Sequence, residues 1–226
     1  MSQVTCIVGM HRSGTSCLAG TLQESGLHLG EVITEAPHNA KGNRENRRIM
    51  DLQEAVLVHS GGSWERIPER LAWTDEHRRA RDEIIRSYGD GPFGFKDPRT
   101  LVTLPFWQEV IPEMRFVGTF RHPSLVVRSL LARNGGDPAH WLGLWAAYNE
   151  RLLALHAAEP FPVLRFDVTA EAYRLGVTAV ARSLGLAPPS ALAFFEESLR
   201  HHALEDDVAL PADVRAIHER LVAIAI

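Results

Sequence analysis

The stretch CIVGMHRSGTSCLAGTL, residues 6–22, limits what this chain can fold into more than any other segment. A short apolar run enters Gly9, a compact polar loop follows, and an apolar helical pattern begins at once. This is the P-loop layout: a strand runs through a Gly-rich loop into a helix whose N-terminal N–H groups face phosphate. The template G-x-x-x-x-G-K-[ST] is met at Gly9, Gly14 and Ser16, but Thr15 stands in the lysine position and Arg12 lies inside the loop. The loop therefore predicts an anion site without the lysine that reaches the β- and γ-phosphates of a triphosphate.

The rest of the chain alternates short apolar runs with helical periodicity. Strands are expected at 4–8, 92–96, 115–120 and 161–166, and helices at 14–25, 45–59, 74–88, 101–111 and 138–158. A further helix starts near Leu125, and 169–184, 189–200 and 211–224 also carry helical patterns, whereas 27–43 is irregular. The helix over 74–88 is so charged that it is expected to be largely solvated, and Pro105 is expected to limit the first half of 101–111. Strands alternating with helices imply a three-layer α/β fold with a mostly parallel central sheet. One domain is expected over 1–226, with a nucleotide-binding core at about 1–135 and a helical part at about 136–226.

In such sheets ligands bind beyond the carboxyl ends of the strands. Three of the four expected strands end in polar residues: His11-Arg12-Ser13, Lys96-Asp97 and Arg121-His122. The formal net charge is −4, so no general attraction to nucleic acid or anionic membrane is expected, and an anion site must be local. Of 24 basic residues only two are Lys, at 41 and 96, which singles out Lys96 in a chain that otherwise writes Arg. Arginine on this scale fits a GC-rich genome. Cys6 and Cys17 are expected to be small buried hydrophobes. No apolar run reaches the length of a membrane span and no signal-peptide pattern opens the chain, so a reducing cytoplasm is the default expectation.

Three of these segments carry a resemblance. GMHRSGTS resembles the 5′-phosphosulfate loop of sulfotransferases that use 3′-phosphoadenylyl sulfate (PAPS). FRHPSLVVRS resembles their 3′-phosphate motif, Arg121 followed eight positions later by Ser129. FKDPRTL resembles the Lys-Asp-Pro segment of the tyrosylprotein sulfotransferases and of many bacterial relatives. The motifs stand in family order across residues 6–129. The resemblance implies PAPS as cosubstrate, held by Arg12, Ser13, Gly14, Thr15, Ser16, Arg121 and Ser129. It also implies Lys96 and Arg12 as the groups that stabilise charge during transfer of the sulfonate.

A base must take the acceptor's proton, and several residues are open to that role: Glu45, favoured because GNRE resembles the Gly-x-x-Glu segment that opens a helix in the bacterial relatives; Glu31 or Glu35, which the resemblance to the tyrosylprotein enzymes implies instead; and His38 and His11. Asp97 could orient Lys96 or cap the following turn, and Arg99 could meet nucleotide or an ion-pair partner. Trp64, Trp73, Trp107, Trp141 and Trp145 are expected in core or rim packing, with Trp141 a candidate neighbour of the acceptor. His201-His202 has no further ligand at metal spacing, and no metal is expected. The acceptor is expected to be a small-molecule, glycan or natural-product hydroxyl, met by segments 27–47 and 60–73. A P-loop kinase using ATP and a non-catalytic nucleotide-binding protein are the competing functions.

Overall fold

The computed structural model describes residues 3–36, 41–188, 193–195 and 210–226. In chain order these form β1 (Val4–Val8), α1 (Thr15–Glu24), α2 (Arg47–His59), α3 (Asp75–Ser87), β2 (Phe93–Lys96) and α4 (Thr100–Gln108). Then follow β3 (Met114–Phe120), α5 (Pro123–Asn134), α6 (Pro138–Ala158), β4 (Val163–Arg165), α7 (Ala170–Ser183) and α8 (Ala212–Ile224). The four strands form one sheet in the order β2-β1-β3-β4, and every pairing is parallel. The expected helix over 189–200 and the pair His201-His202 fall almost wholly outside the described residues.

Strand periodicity sorts the two faces. Val4, Cys6 and Val8 of β1, with Met114, Phe116 and Phe120 of β3, pack into a large core under α2, α3, α4, α5, α6 and α8. Ile7, Val117 and Leu164 face the other way, onto Leu18 and Leu22 of α1 and Val177 and Val180 of α7. Three layers result, one of them thick.

The helices begin where their caps dictate. Asn46 accepts N–H bonds from Arg48 and Ile49, so α2 starts at Arg47, and Glu45 lies just outside the helix it was expected to open. His122 Nδ1 caps α5 with Pro123 in its first turn, and Asp137 caps α6 with Pro138 in the same place. Pro105 lies inside α4, which runs on past it to Gln108. Among the described residues no helix is long and apolar enough to cross a membrane.

Candidate active site

The loop between β1 and α1 is wedged among the ends of three strands. Thr119 Oγ1, on β3, donates to the Ser13 carbonyl at 3.1 Å. A Cβ on Gly9 would fall 2.3 Å from the Thr119 carbonyl oxygen, and one on Gly14 would fall 2.3 Å from the Phe166 ring just past β4. Gly14 also has φ 87°, a conformation that favours glycine. As N-cap it offers no side-chain bond, so the first N–H groups of α1 lack intrahelical partners. Ser13 Oγ is buried and has no hydrogen-bond partner among the described residues. A small anion is the complement of such a loop.

Three cations converge on this loop. Lys96 leaves β2 one strand away, in register with Ile7, and its ammonium donates to Ser16 Oγ at 3.3 Å. The amine that the loop itself lacks is delivered by its neighbour. Arg12, inside the loop at φ 66°, donates from Nε to Ser129 Oγ on α5 at 2.8 Å. Burial, and then the nearby Arg133 cation, pull the Arg12 guanidinium below its ordinary range. Arg121, buried at the end of β3, lies 5.6 Å from the centre of the same Phe166 ring that packs on Gly14. Its carbonyl accepts from Trp145 Nε1 at 3.1 Å. Ser129 is thus tied to the loop through Arg12, and Arg121 shares the Phe166 ring with Gly14.

Glu45 meets Lys96. Its Oε1 accepts from Lys96 Nζ at 2.8 Å, and the side chains are 8% and 1% exposed. Asp97 caps the following turn and makes no hydrogen bond to Lys96. Its carboxylate accepts the Arg99 N–H at 2.9 Å and Arg99 Nη1 at 3.0 Å, while Arg99 Nε reaches Glu54 at 2.9 Å. Arg99 is therefore an ion-pair residue. Burial pushes the Asp97 carboxyl above its ordinary range, with Glu45 adding to the shift and Arg99 opposing it.

The other base candidates stand differently. Glu31 and Glu35 are exposed, and His38 lies outside the described residues. His11 has a buried Nε2 without a hydrogen-bond partner among the described residues, and its ring lies 4.3 Å from that of Trp64. Burial drives its basicity well down, and the cations Arg99, Arg133, Lys96 and Arg12 add to this. Both effects favour the neutral imidazole.

Sequence reasoning missed the wall beside His11. Trp64 and Trp141 stack with ring centres 6.0 Å apart, Arg133 lies 5.4 Å over Trp64, and Tyr148 donates to the Trp64 carbonyl at 3.0 Å. Arg133 sits four residues beyond Ser129, one helical turn along α5, and that spacing was the available signal. Among the described residues no three His, Cys, Asp or Glu side chains gather as metal ligands. Cys6 is fully buried, whereas Cys17 is half-buried, with its thiol pushed up to about 11 by burial.

No protein-family model matches the chain, and no curated protein matches it. Among solved structures it is similar to the sulfotransferase domain of the olefin synthase of Synechococcus PCC 7002. The TM-score is 0.60 at 17% identity, covering 98% of this chain and 96% of that one. A sulfotransferase from Mycobacterium tuberculosis H37Rv gives a TM-score of 0.48 at 15% identity, covering 99% of this chain and 77% of that one. The first likeness shows the fold: a parallel three-layer α/β sheet built as in a sulfotransferase domain.

Proposed function

We propose that the chain is a sulfotransferase that moves the sulfonate group of PAPS to an acceptor hydroxyl. The observation that carries this reading is the Lys96 ammonium. It comes from β2, rests 3.3 Å from Ser16 of an anion loop and 2.8 Å from a carboxylate, and serves a loop with no lysine of its own. A nucleotide-binding protein needs a loop and arginines; it does not need a buried amine paired with a carboxylate.

In this reading the loop N–H groups, Ser13, Thr15 and Ser16 hold the 5′-phosphosulfate, and Arg121 with Ser129 holds the 3′-phosphate. The acceptor oxygen attacks sulfur in line, and the bond from sulfur to the bridging oxygen of the 5′-phosphate breaks. Lys96 stabilises the charge gathering on that bridging oxygen, and Arg12 the charge on the sulfonate oxygens. The acceptor's proton passes to Glu45, whose carboxylate is held beside Lys96 at 2.8 Å. The acceptor is a small-molecule, glycan or natural-product hydroxyl entering from the side of Trp64.

Thermal melting tests the donor. Adenosine 3′,5′-bisphosphate at about one hundred times its Kd adds about 2.7 kcal/mol to stability, a rise of roughly 5–10 °C in a chain of this size. ATP with magnesium leaves the melting point in place. A shift by ATP and magnesium alone favours the kinase reading. Sulfonate transfer from PAPS across a panel of phenols and sugars, abolished in Lys96→Ala while bisphosphate binding survives, separates the enzyme from a mere binder.

A further inference from the structure

The carboxylate of Glu45 reaches Lys96 from an unusual piece of backbone. Arg44, the residue before it, has φ 55°, a left-handed conformation that a non-glycine residue adopts only when its surroundings hold it there. Arg44 N donates to the Ile33 carbonyl at 3.0 Å, and Ile33 N donates to the Glu45 carbonyl at 2.9 Å. The Arg44 side chain donates from Nη1 to Gln23 Oε1 on α1 at 3.2 Å, and its guanidinium covers the Phe194 ring at 4.4 Å.

Phe194 comes from the far side of the sequence, 150 residues away, and is seated with care. Its ring fills a notch on α1 that exists because residue 20 is glycine; a Cβ there would fall 2.2 Å from the ring. The Phe194 carbonyl accepts from the Cys17 thiol at 3.6 Å, and Lys41 donates to the Ala193 carbonyl. The next ring, Phe195, stacks on Tyr173 of α7 at 4.6 Å. The tripeptide 193–195 is thus pinned to α1, to α7 and to the segment that ends in Glu45.

We infer that Phe194 and Arg44 are positioning residues for Glu45: the ring in the Gly20 notch supports the Arg44 guanidinium, Arg44 is held left-handed, and the turn so fixed aims the Glu45 carboxylate at Lys96. The inference rests on the proposed sulfotransferase reading for its catalytic meaning, but not for its geometry. A remote tripeptide then sets the geometry of the pair without touching substrate.

The two lysines of the chain make a direct test, because Lys41 marks the tripeptide contact and Lys96 marks Glu45. The full chain labelled with ¹³C at lysine Cε gives two signals by NMR. In Phe194→Ala, and independently in Gly20→Ala, which expels the ring without removing it, the Lys96 signal moves toward its position in Glu45→Gln. Phe194→Leu, which still plugs the notch, restores it. Adenosine 3′,5′-bisphosphate binding is unchanged, while turnover of PAPS with 4-nitrophenol as acceptor probe falls roughly 10- to 100-fold. In a Glu45→Gln background the Phe194→Ala change costs no further turnover. A Lys96 signal that stays at its parent position in both variants, while the Lys41 signal moves, overturns the inference. Parent turnover in Glu45→Gln would instead remove Glu45 as base, and the Lys96 signal would still decide the positioning.

Discussion

With Lys96 1% exposed and Glu45 scarcely more, neither charge has water to fall back on, so each depends on the other. Removing one leaves a buried, uncompensated ion; removing both does not. Lys96→Met is expected to lower the free energy of unfolding by about 3–5 kcal/mol, and adding Glu45→Leu to return most of it, as measured by urea denaturation. Arg12→Lys keeps a charge in the loop but removes the planar fork that engages Ser129, and is expected to weaken adenosine 3′,5′-bisphosphate binding about tenfold by titration calorimetry. Lys96 was legible in the sequence because a strand-end lysine is conspicuous in an arginine-rich chain. The partner of Asp97 was not, because Arg99 two residues on competes for the same carboxylate and only the backbone turn decides between them. Arg133 escaped notice, and Trp64 was read only as packing, because what makes them matter, a shared neighbour in His11, lies more than fifty residues from each along the chain.

At the scale of elements, α8 makes the clearest pH-dependent contact. His218 lies with its ring 4.8 Å from that of His122 and 6.1 Å from that of Phe120, the last residue of β3. Burial first, and then the cationic potential of His122 and Arg165 against the opposing Asp167, push it down to about 4 from an ordinary 6.5. The fold holds the neutral imidazole, so unfolding takes up a proton once the pH drops below 6.5. Stability from this source is therefore complete above that pH and is lost as the pH falls toward about 4. His218→Phe is expected to flatten that part of the melting-temperature profile relative to the parent, in which His11 contributes the same sign. The sequence showed where most elements lie but not every contact between them. α3 is largely solvated, as its charge suggests, yet Arg81 on it is buried, donating to the Phe106 carbonyl at 2.7 Å and to Glu109 at 2.6 Å. Helical periodicity locates a face and cannot tell that an arginine on it will find a carbonyl to bond. Pro105, at the sixth position of α4, likewise gave no break.

Across the whole molecule, a chain of formal net charge −4 gathers Arg12, Lys96 and Arg121 around one loop. The proposed attraction for a multiply charged nucleotide is therefore local, and added salt is expected to screen it. Bisphosphate affinity is expected to fall several-fold from low to high ionic strength, with little change in the melting point of the unliganded protein. The architecture was legible because four apolar runs separated by helices leave few topologies, and because polar strand ends mark the ligand side of a parallel sheet. What the sequence could not show is the thickness of one layer, six helices against two among the described residues, since that depends on which face each helix finds. The sheet order has one consequence for chemistry. β2 is a four-residue strand at the edge, paired to β1 alone among the named strands, with Gly94 N bonded to the His28 carbonyl at 2.8 Å on its outer side. Side chains alternate sides along a strand, so a shift of one residue in that alignment would turn the Lys96 amine away from the loop, where the proposed sulfonate transfer needs it. A hydrogen bond at the rim of the sheet thereby bears on the proposed turnover.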